Sequence, residues 1–132
     1  MLYMKKFSLF FILALSFSAC QQSIDDQAAR DTRDYTAKYC PLEDEYTILD
    51  SMSFDRATRT IGYHYRIKDV GPINTEAFRQ GLLDELRNAT KVRGYKEAGF
   101  SFRYQCLSVL DTDSVVLDVV FQPSDYNQAI AN

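Results

Sequence analysis

From Tyr46 to Phe54 the chain alternates, with Tyr46, Ile48, Asp50, Met52 and Phe54 on one side and Thr47, Leu49, Ser51 and Ser53 on the other. Asp55-Arg56-Ala57-Thr58 reads as a turn, and then Ile61, Tyr63, Tyr65 and Ile67 alternate with Thr60, Gly62, His64 and Arg66. A period of two marks half-buried strands, so these runs predict a β-hairpin. The period then changes. Phe78, Leu82, Leu86 and Ala89 fall on one helical stripe, with Leu83 beside it. Asn74 or Thr75 can cap that helix, Glu76/Arg79 and Asp84/Arg87 support it with the acid first, and Gly94 reads as its stop. Phe100, Phe102, Tyr104 and Cys106 return to a period of two, which blurs at Leu107, Val109 and Leu110 as a bulge would make it. After a turn at Asp111-Thr112-Asp113-Ser114, Val115, Leu117, Val119 and Phe121 predict a last strand, stopped by Pro123 and followed by a frayed end. Upstream, Ile24, Ala28, Thr32, Tyr35 and Tyr39 share one weakly apolar helical face, ended by Pro41.

The order predicts an α+β fold: a four-stranded antiparallel sheet, built hairpin–helix–hairpin, with an additional N-terminal helix. The expected core is Ile48, Met52, Phe54, Ile61, Tyr63, Tyr65, Phe78, Leu82, Leu86, Phe102, Tyr104, Leu117, Val119 and Phe121.

The start of the chain carries a different signal. Lys5 and Lys6 precede an apolar run over residues 7–17, then Ser18, Ala19 and Cys20. The run is too short to span a bilayer and suits a secretory leader. Phe17-Ser18-Ala19-Cys20 resembles the lipobox of bacterial lipoproteins, with Phe17 where that family usually has Leu. The resemblance implies cleavage before Cys20 and acylation of Cys20, whose several chains would anchor the protein stably. It divides the chain into a signal peptide, 1–19, a polar tether, 20–26, and a single α+β domain, 27–126. It also places the protein in the cell envelope, at the outer membrane, facing the periplasm or the surface. Asp25-Asp26 is similar to the acidic export signals of surface-exposed lipoproteins in some Gram-negative groups; two acids also suit the first turn of a helix. In the mature part, Cys40-Pro41, the run from Leu49 to Asp55, Tyr63-His64-Tyr65 and the run from Gly99 to Tyr104 resemble a loosely defined family of small bacterial envelope proteins. That resemblance implies the fold and no activity.

Composition narrows the functions. The chain has 132 residues, 46% hydrophobic and 14% aromatic, enough for one domain with a core. Its net charge of −3 argues against a nucleic-acid partner. Removing the leader takes away two lysines and no acid, so the mature chain is more acidic still. A single histidine, His64, and no closely spaced Cys pair exclude the common zinc frameworks, and no metal or cofactor is expected. Asp111 and Asp113 lack the Gly and Glu of a calcium loop, and Glu43-Asp44-Glu45 reads as a solvated loop or a weak cation site. His64 with a Ser and an Asp can in principle form a triad, but no nucleophile-elbow pattern accompanies it, so it reads as a solvent-facing strand histidine. An enzyme is therefore not expected, and a small hydrolase has no motif behind it. The leading expectation is a membrane-anchored extracytoplasmic binding domain of unknown partner, another envelope protein being one candidate. The alternatives are an inhibitor or immunity-type protein and a structural envelope component.

Two further expectations concern side chains. With Cys20 lipidated, Cys40 and Cys106 either pair, closing a loop of about 66 residues worth roughly 4 kcal/mol in the chain-entropy account, or remain separate thiols. If helices cover one sheet face, the other presents Thr60, His64, Arg66, Ser101, Arg103, Gln105 and Asp118. His64, Arg66, Arg103, Gln105 and Asp118 form the candidate binding face, a local positive spot for an acidic group on a partner. A sheet face left polar for water alone has the same pattern.

Overall fold

The computed structural model describes residues 22–68 and 71–127. The leader and Cys20 lie outside the described residues. Helix α1 covers 22–39. It is followed by β1 (Leu42–Glu43), β2 (Thr47–Asp55), β3 (Thr60–Ile67), α2 (Thr75–Asn88), α3 (Arg93–Glu97), β4 (Ser101–Ser108), β5 (Val115–Phe121) and α4 (Pro123–Tyr126).

The α+β class holds, but the sheet differs from the expected four-stranded antiparallel one. It has five strands in the order β1-β2-β3-β4-β5, and β3 and β4 run parallel, from Thr60 opposite Ser101 to Ile67 opposite Ser108. The helix between the hairpins is the physical reason. Fourteen residues of α2 rise roughly 21 Å, close to the roughly 26 Å of an eight-residue strand. The chain is thereby returned to the end of the sheet where β3 began, and β4 re-enters in the same direction. Parallel neighbours need such a crossover.

A bulge changes which residues of β2 face the core. The pairing with β3 shifts between Leu49 and Ser51, so Asp50 has no partner and the alternation changes phase there. Leu49 is buried in place of the expected Ile48, while Met52 and Phe54 keep their places against the core. The innermost side chains are Phe100, Phe102, Phe121, Ile61, Leu86 and Cys106. Leu83 is buried more deeply than Leu82.

Helix α1 starts inside the expected tether, since residues 22–26 are already helical. Ile24 packs against the core, Ala28 is fully buried, and Asp25 and Asp26 pair with Arg59 (3.0 Å) and Arg56 (2.8 Å) of the β2–β3 turn. Arg59 holds that turn with a positive φ of 50° and sets its guanidinium over the Phe100 ring, 4.5 Å from the centroid.

Helix α2 starts as expected, with Asn74 Oδ1 accepting from Ala77 N (3.1 Å). It ends earlier than the Gly94 stop, at Asn88, because Lys96 Nζ reaches back to donate to the carbonyls of Leu86 (2.8 Å) and Arg87 (3.1 Å). Gly94 lies inside the short α3. Gly99, with φ +81°, closes α3: Phe100 N donates to Tyr95 O and Gly99 N to Lys96 O. This is a Schellman stop, and its apolar contact is the Tyr95–Phe100 ring pair at 5.2 Å. The expected fraying after Pro123 is also corrected. Pro123 opens α4, Gln122 and Asp125 form a capping box, and Tyr126 is buried with its hydroxyl donating to Phe100 O (2.7 Å).

The sheet separates the two cysteines. Cys106 lies opposite Tyr65, Tyr65 opposite Leu49, and Leu49 opposite Leu42, two residues beyond Cys40. Three strand spacings amount to roughly 14 Å, twice the reach of a disulfide. Both thiols are free, which corrects the Cys40–Cys106 pairing. Burial pushes the Cys106 thiol up to about 11, so it behaves as a small apolar side chain.

Candidate functional site

Two concavities bear on function, one on the open sheet face and one beside α1. The open face does bring the five expected residues together, but in a different electrostatic state. Arg66 Nε and Nη2 donate to Asp50 (2.8–3.0 Å), the unpartnered bulge residue. Arg103 Nε and Nη2 donate to Asp118 (2.9 and 2.6 Å), and this contact holds the Asp118 carboxyl below the usual carboxylate range. Each arginine is neutralised by its own acid, so the expected positive spot is not there. Asp50 was the missing signal: counted as core-facing by strict alternation, it turns outward with the bulge.

Between these pairs runs a polar chain. Ser53 Oγ lies 2.8 Å from His64 Nε2, and His64 Nδ1 lies 3.0 Å from Gln105 Oε1. Ser53, Gly62 and Arg103 share one cross-strand row. Gly62 has no side chain, so the row has a gap in its middle. A β-carbon built there would lie only 2.6 Å from Ser53 Oγ and 3.1 Å from His64 Nε2. The gap widens into an open depression of about 580 Å³, walled by Thr60, Ser101, Arg103, Asp118 and Val120.

The second concavity lies along α1. Strand β1 pairs only with Ile48 and Leu49, so among the described residues the rest of that β2 edge has no strand beside it. Helix α1 covers it instead. The Thr36 hydroxyl accepts from Met52 N (2.9 Å), the backbone donor a neighbouring strand would have used, while its own proton lies within reach of Thr32 O (2.8 Å) and Met52 O (3.1 Å). The small side chains Ala29, Thr32 and Ala37 leave a groove of about 480 Å³ against Met52 and Phe54, with Arg33 at its rim. Sequence reasoning passed over this groove. Its trace was Ala29, Arg33 and Ala37, a four-residue repeat of small and basic residues flanking the buried stripe.

The acidic run is a structured turn. Asp44 Oδ1 accepts from the backbone of Tyr46 (2.9 Å) and Thr47 (2.8 Å), which lowers its pKa. Asp111 likewise accepts from Asp113 N (3.1 Å), as expected of a hairpin turn. Among the described residues no three His, Cys, Asp or Glu side chains gather as a metal site. No described helix is long and apolar enough to cross a membrane.

A five-stranded mixed sheet with helices packed against it and an edge groove under the first helix defines a class of small α+β domains. Within that class, the chain belongs to the family described as a domain of unknown function (DUF8479), whose profile matches residues 23–117. Solved structures share the fold. The pilotin EpsS from the Vibrio vulnificus type 2 secretion system superimposes with a TM-score of 0.69 at 11% identity, over 83% of this chain and 96% of that one. A Pseudomonas aeruginosa protein assigned as secreted gives 0.67 at 13% identity, over 80% of this chain and 95% of that one. The type II secretion pilotin AspS from Vibrio cholerae gives 0.66 at 13% identity, over 83% and 98%. No curated protein matches by sequence.

Proposed function

We propose that this chain is a pilotin-like envelope lipoprotein: a domain, held at the outer membrane by acyl chains on Cys20, that binds a component of a secretion machine. The observation that carries this reading is the fold, shared along nearly the whole length of two pilotins of type II secretion systems. The lipobox-like Phe17-Ser18-Ala19-Cys20 supports it independently from sequence.

The α1–β2 groove is where the partner docks. It offers an apolar floor, Met52 and Phe54, beneath a helix flank of small residues, a shape that receives a partner segment with protruding apolar side chains. Anchoring would also orient the domain. The described helix begins two residues after Cys20, and two residues span at most about 7 Å, so the first turn of α1 and the β2–β3 turn paired with it would face the bilayer. Ala29 and Ala37 would then lie roughly 10–23 Å along the helix from its first residue.

Deletion of the gene should block release of proteins exported by the type II route in its host. The lipidated chain should restore release, and Cys20→Ala should not. Ala29→Arg with Ala37→Arg, which fills the groove from exposed or half-buried positions, should abolish restoration while leaving the protein folded and membrane-bound. Normal secretion in the deletion strain would remove the pilotin-like role; full restoration by the groove variant would remove the docking site.

A further inference from the structure

Of the Ser53–His64–Gln105 chain, only Ser53 borders the docking groove, and its hydroxyl is turned to His64 on the open face. We propose that these three residues form a serine nucleophile site, able to take an acyl group from a small polar carboxylic ester and pass it to water.

The arrangement has the three elements nucleophilic catalysis needs: a hydroxyl, a base within hydrogen-bond reach, and a third group that orients the base. Gln105 presents its amide oxygen to His64 Nδ1 at 3.0 Å, so Nδ1 carries the proton and donates. That tautomer leaves Nε2 as an acceptor, 2.8 Å from Ser53 Oγ. The three residues come from three adjacent strands, β2, β3 and β4, and the strand pairing fixes their spacing. They sit on a rigid sheet, which holds such geometry more tightly than a loop.

Gly62 provides the space for both chemistry and substrate. Its missing β-carbon is the room into which the Ser53 hydroxyl leans, as the 2.6 Å clash shows. Across the same gap stands Arg103, opposite Gly62 on β4. Asp118 holds its Nε and Nη2, so Nη1 lies outside that pair, and Arg103 lines the depression. A carbonyl placed over Gly62 meets Ser53 on one side and the Asp118-paired Arg103 guanidinium on the other, whose remaining N–H groups can donate to the carbonyl oxygen although the pair carries no net charge. The depression, about 580 Å³, is the size of a small-ligand site, and its walls of Thr60, Ser101 and Asp118 favour a polar substrate.

In the first step the Ser53 oxygen attacks the ester carbonyl carbon while His64 Nε2 takes the hydroxyl proton. The carbonyl oxygen becomes an oxyanion facing Arg103. The carbon–oxygen bond to the alcohol then breaks, and the alkoxide takes the proton from His64. Water repeats the sequence on the acyl-serine, releasing the carboxylic acid and restoring Ser53 and His64. Ser53 and His64 are the catalytic residues, Arg103 stabilises charge, and Gln105 is a positioning residue.

The test uses the full processed protein, a fluorophosphonate probe and a short-chain nitrophenyl ester. The expected result is a probe adduct located on Ser53 by peptide mass spectrometry, together with ester turnover. Ser53→Ala should abolish both, and His64→Ala should slow both by at least about 100-fold. Gly62→Ala should also depress labelling, by turning the hydroxyl off Nε2. Gln105→Leu should slow labelling, and Gln105→Glu, which keeps an acceptor on Nδ1, should rescue it; a merely structural glutamine would give equal loss in both. Absence of an adduct on Ser53, or labelling at an equal rate in folded His64→Ala, overturns the proposal. His64→Ala should still restore secretion, so failure here and failure of the docking role are separately visible.

Discussion

The two faces of the sheet solve opposite problems. The covered face is built from volume: Ile61, Phe102 and Phe121 are essentially inaccessible, and Phe54 stacks on Phe100 with ring centroids 5.4 Å apart. The open face is built from pairing: Arg66 with Asp50, Arg103 with Asp118, and Ser53 with His64 and Gln105. Removing a methylene from the first face leaves a hole. Removing a polar group from the second lets water take its place. Stability therefore depends on the covered face, and the open face is free to carry chemistry.

The largest effect is expected at the centre of the covered face. Phe102 is fully buried between strands β3 and β5 and meets Tyr126 edge-on at 5.7 Å. Phe102→Ala should destabilise the domain by about 3–5 kcal/mol, measured by urea unfolding. A loss below about 1 kcal/mol would mean that the helices do not seal this face.

How far each face could be read from sequence follows from the same contrast. Period-two runs place Ile61, Phe102, Tyr104 and Phe121 inward because side-chain alternation is local geometry. Asp50 escapes that logic: one bulged residue inverts the phase, so Ile48 and Leu49 exchange faces, and nothing in TILDSMSFD marks the place. The parallel β3–β4 pair is likewise invisible locally, since it depends on where α2 returns the chain. Tyr126 and Arg59 act through contacts with residues 26 and 34 positions away, beyond any periodic pattern. On the open face, composition named His64, Arg103, Gln105 and Asp118, but only strand register shows that the arginines are neutralised and that Ser53 reaches His64 across an empty Gly62.

A smaller effect should separate the faces by pH. On the covered side Tyr63 stacks on Tyr104 at 4.9 Å, and burial pushes its hydroxyl up to about 12. Tyr65 and Tyr104 are raised for the same first reason, desolvation. A pKa raised in the folded state means that the folded protein holds the proton more tightly. The associated stability is complete below the ordinary tyrosine value near pH 10 and is lost as the pH rises through about 12. Unfolding curves between pH 9 and pH 12 should show a fall of roughly 2–3 kcal/mol for this residue, and Tyr63→Phe should flatten it. An unchanged slope in Tyr63→Phe would place that hydroxyl in water.

The smallest effect is expected from the open face, and its smallness is the point. The Arg103–Asp118 pair is bidentate in geometry, yet the two side chains keep 41% and 33% of their exposure. Solvent screening reduces such a pair to about 0.2–1 kcal/mol whatever its distances. A double-mutant cycle over Arg103→Leu and Asp118→Leu should give a coupling in that range and shrinking with added salt. The pH sign is opposite to that of the tyrosines. Asp118 is held below its ordinary value, so its contribution is present above about pH 4 and fades as the pH falls through the lower folded value. A coupling above about 2 kcal/mol would mean that the open face stabilises the fold as the covered face does, and that Arg103 is fixed by stability rather than left available for an incoming carbonyl group.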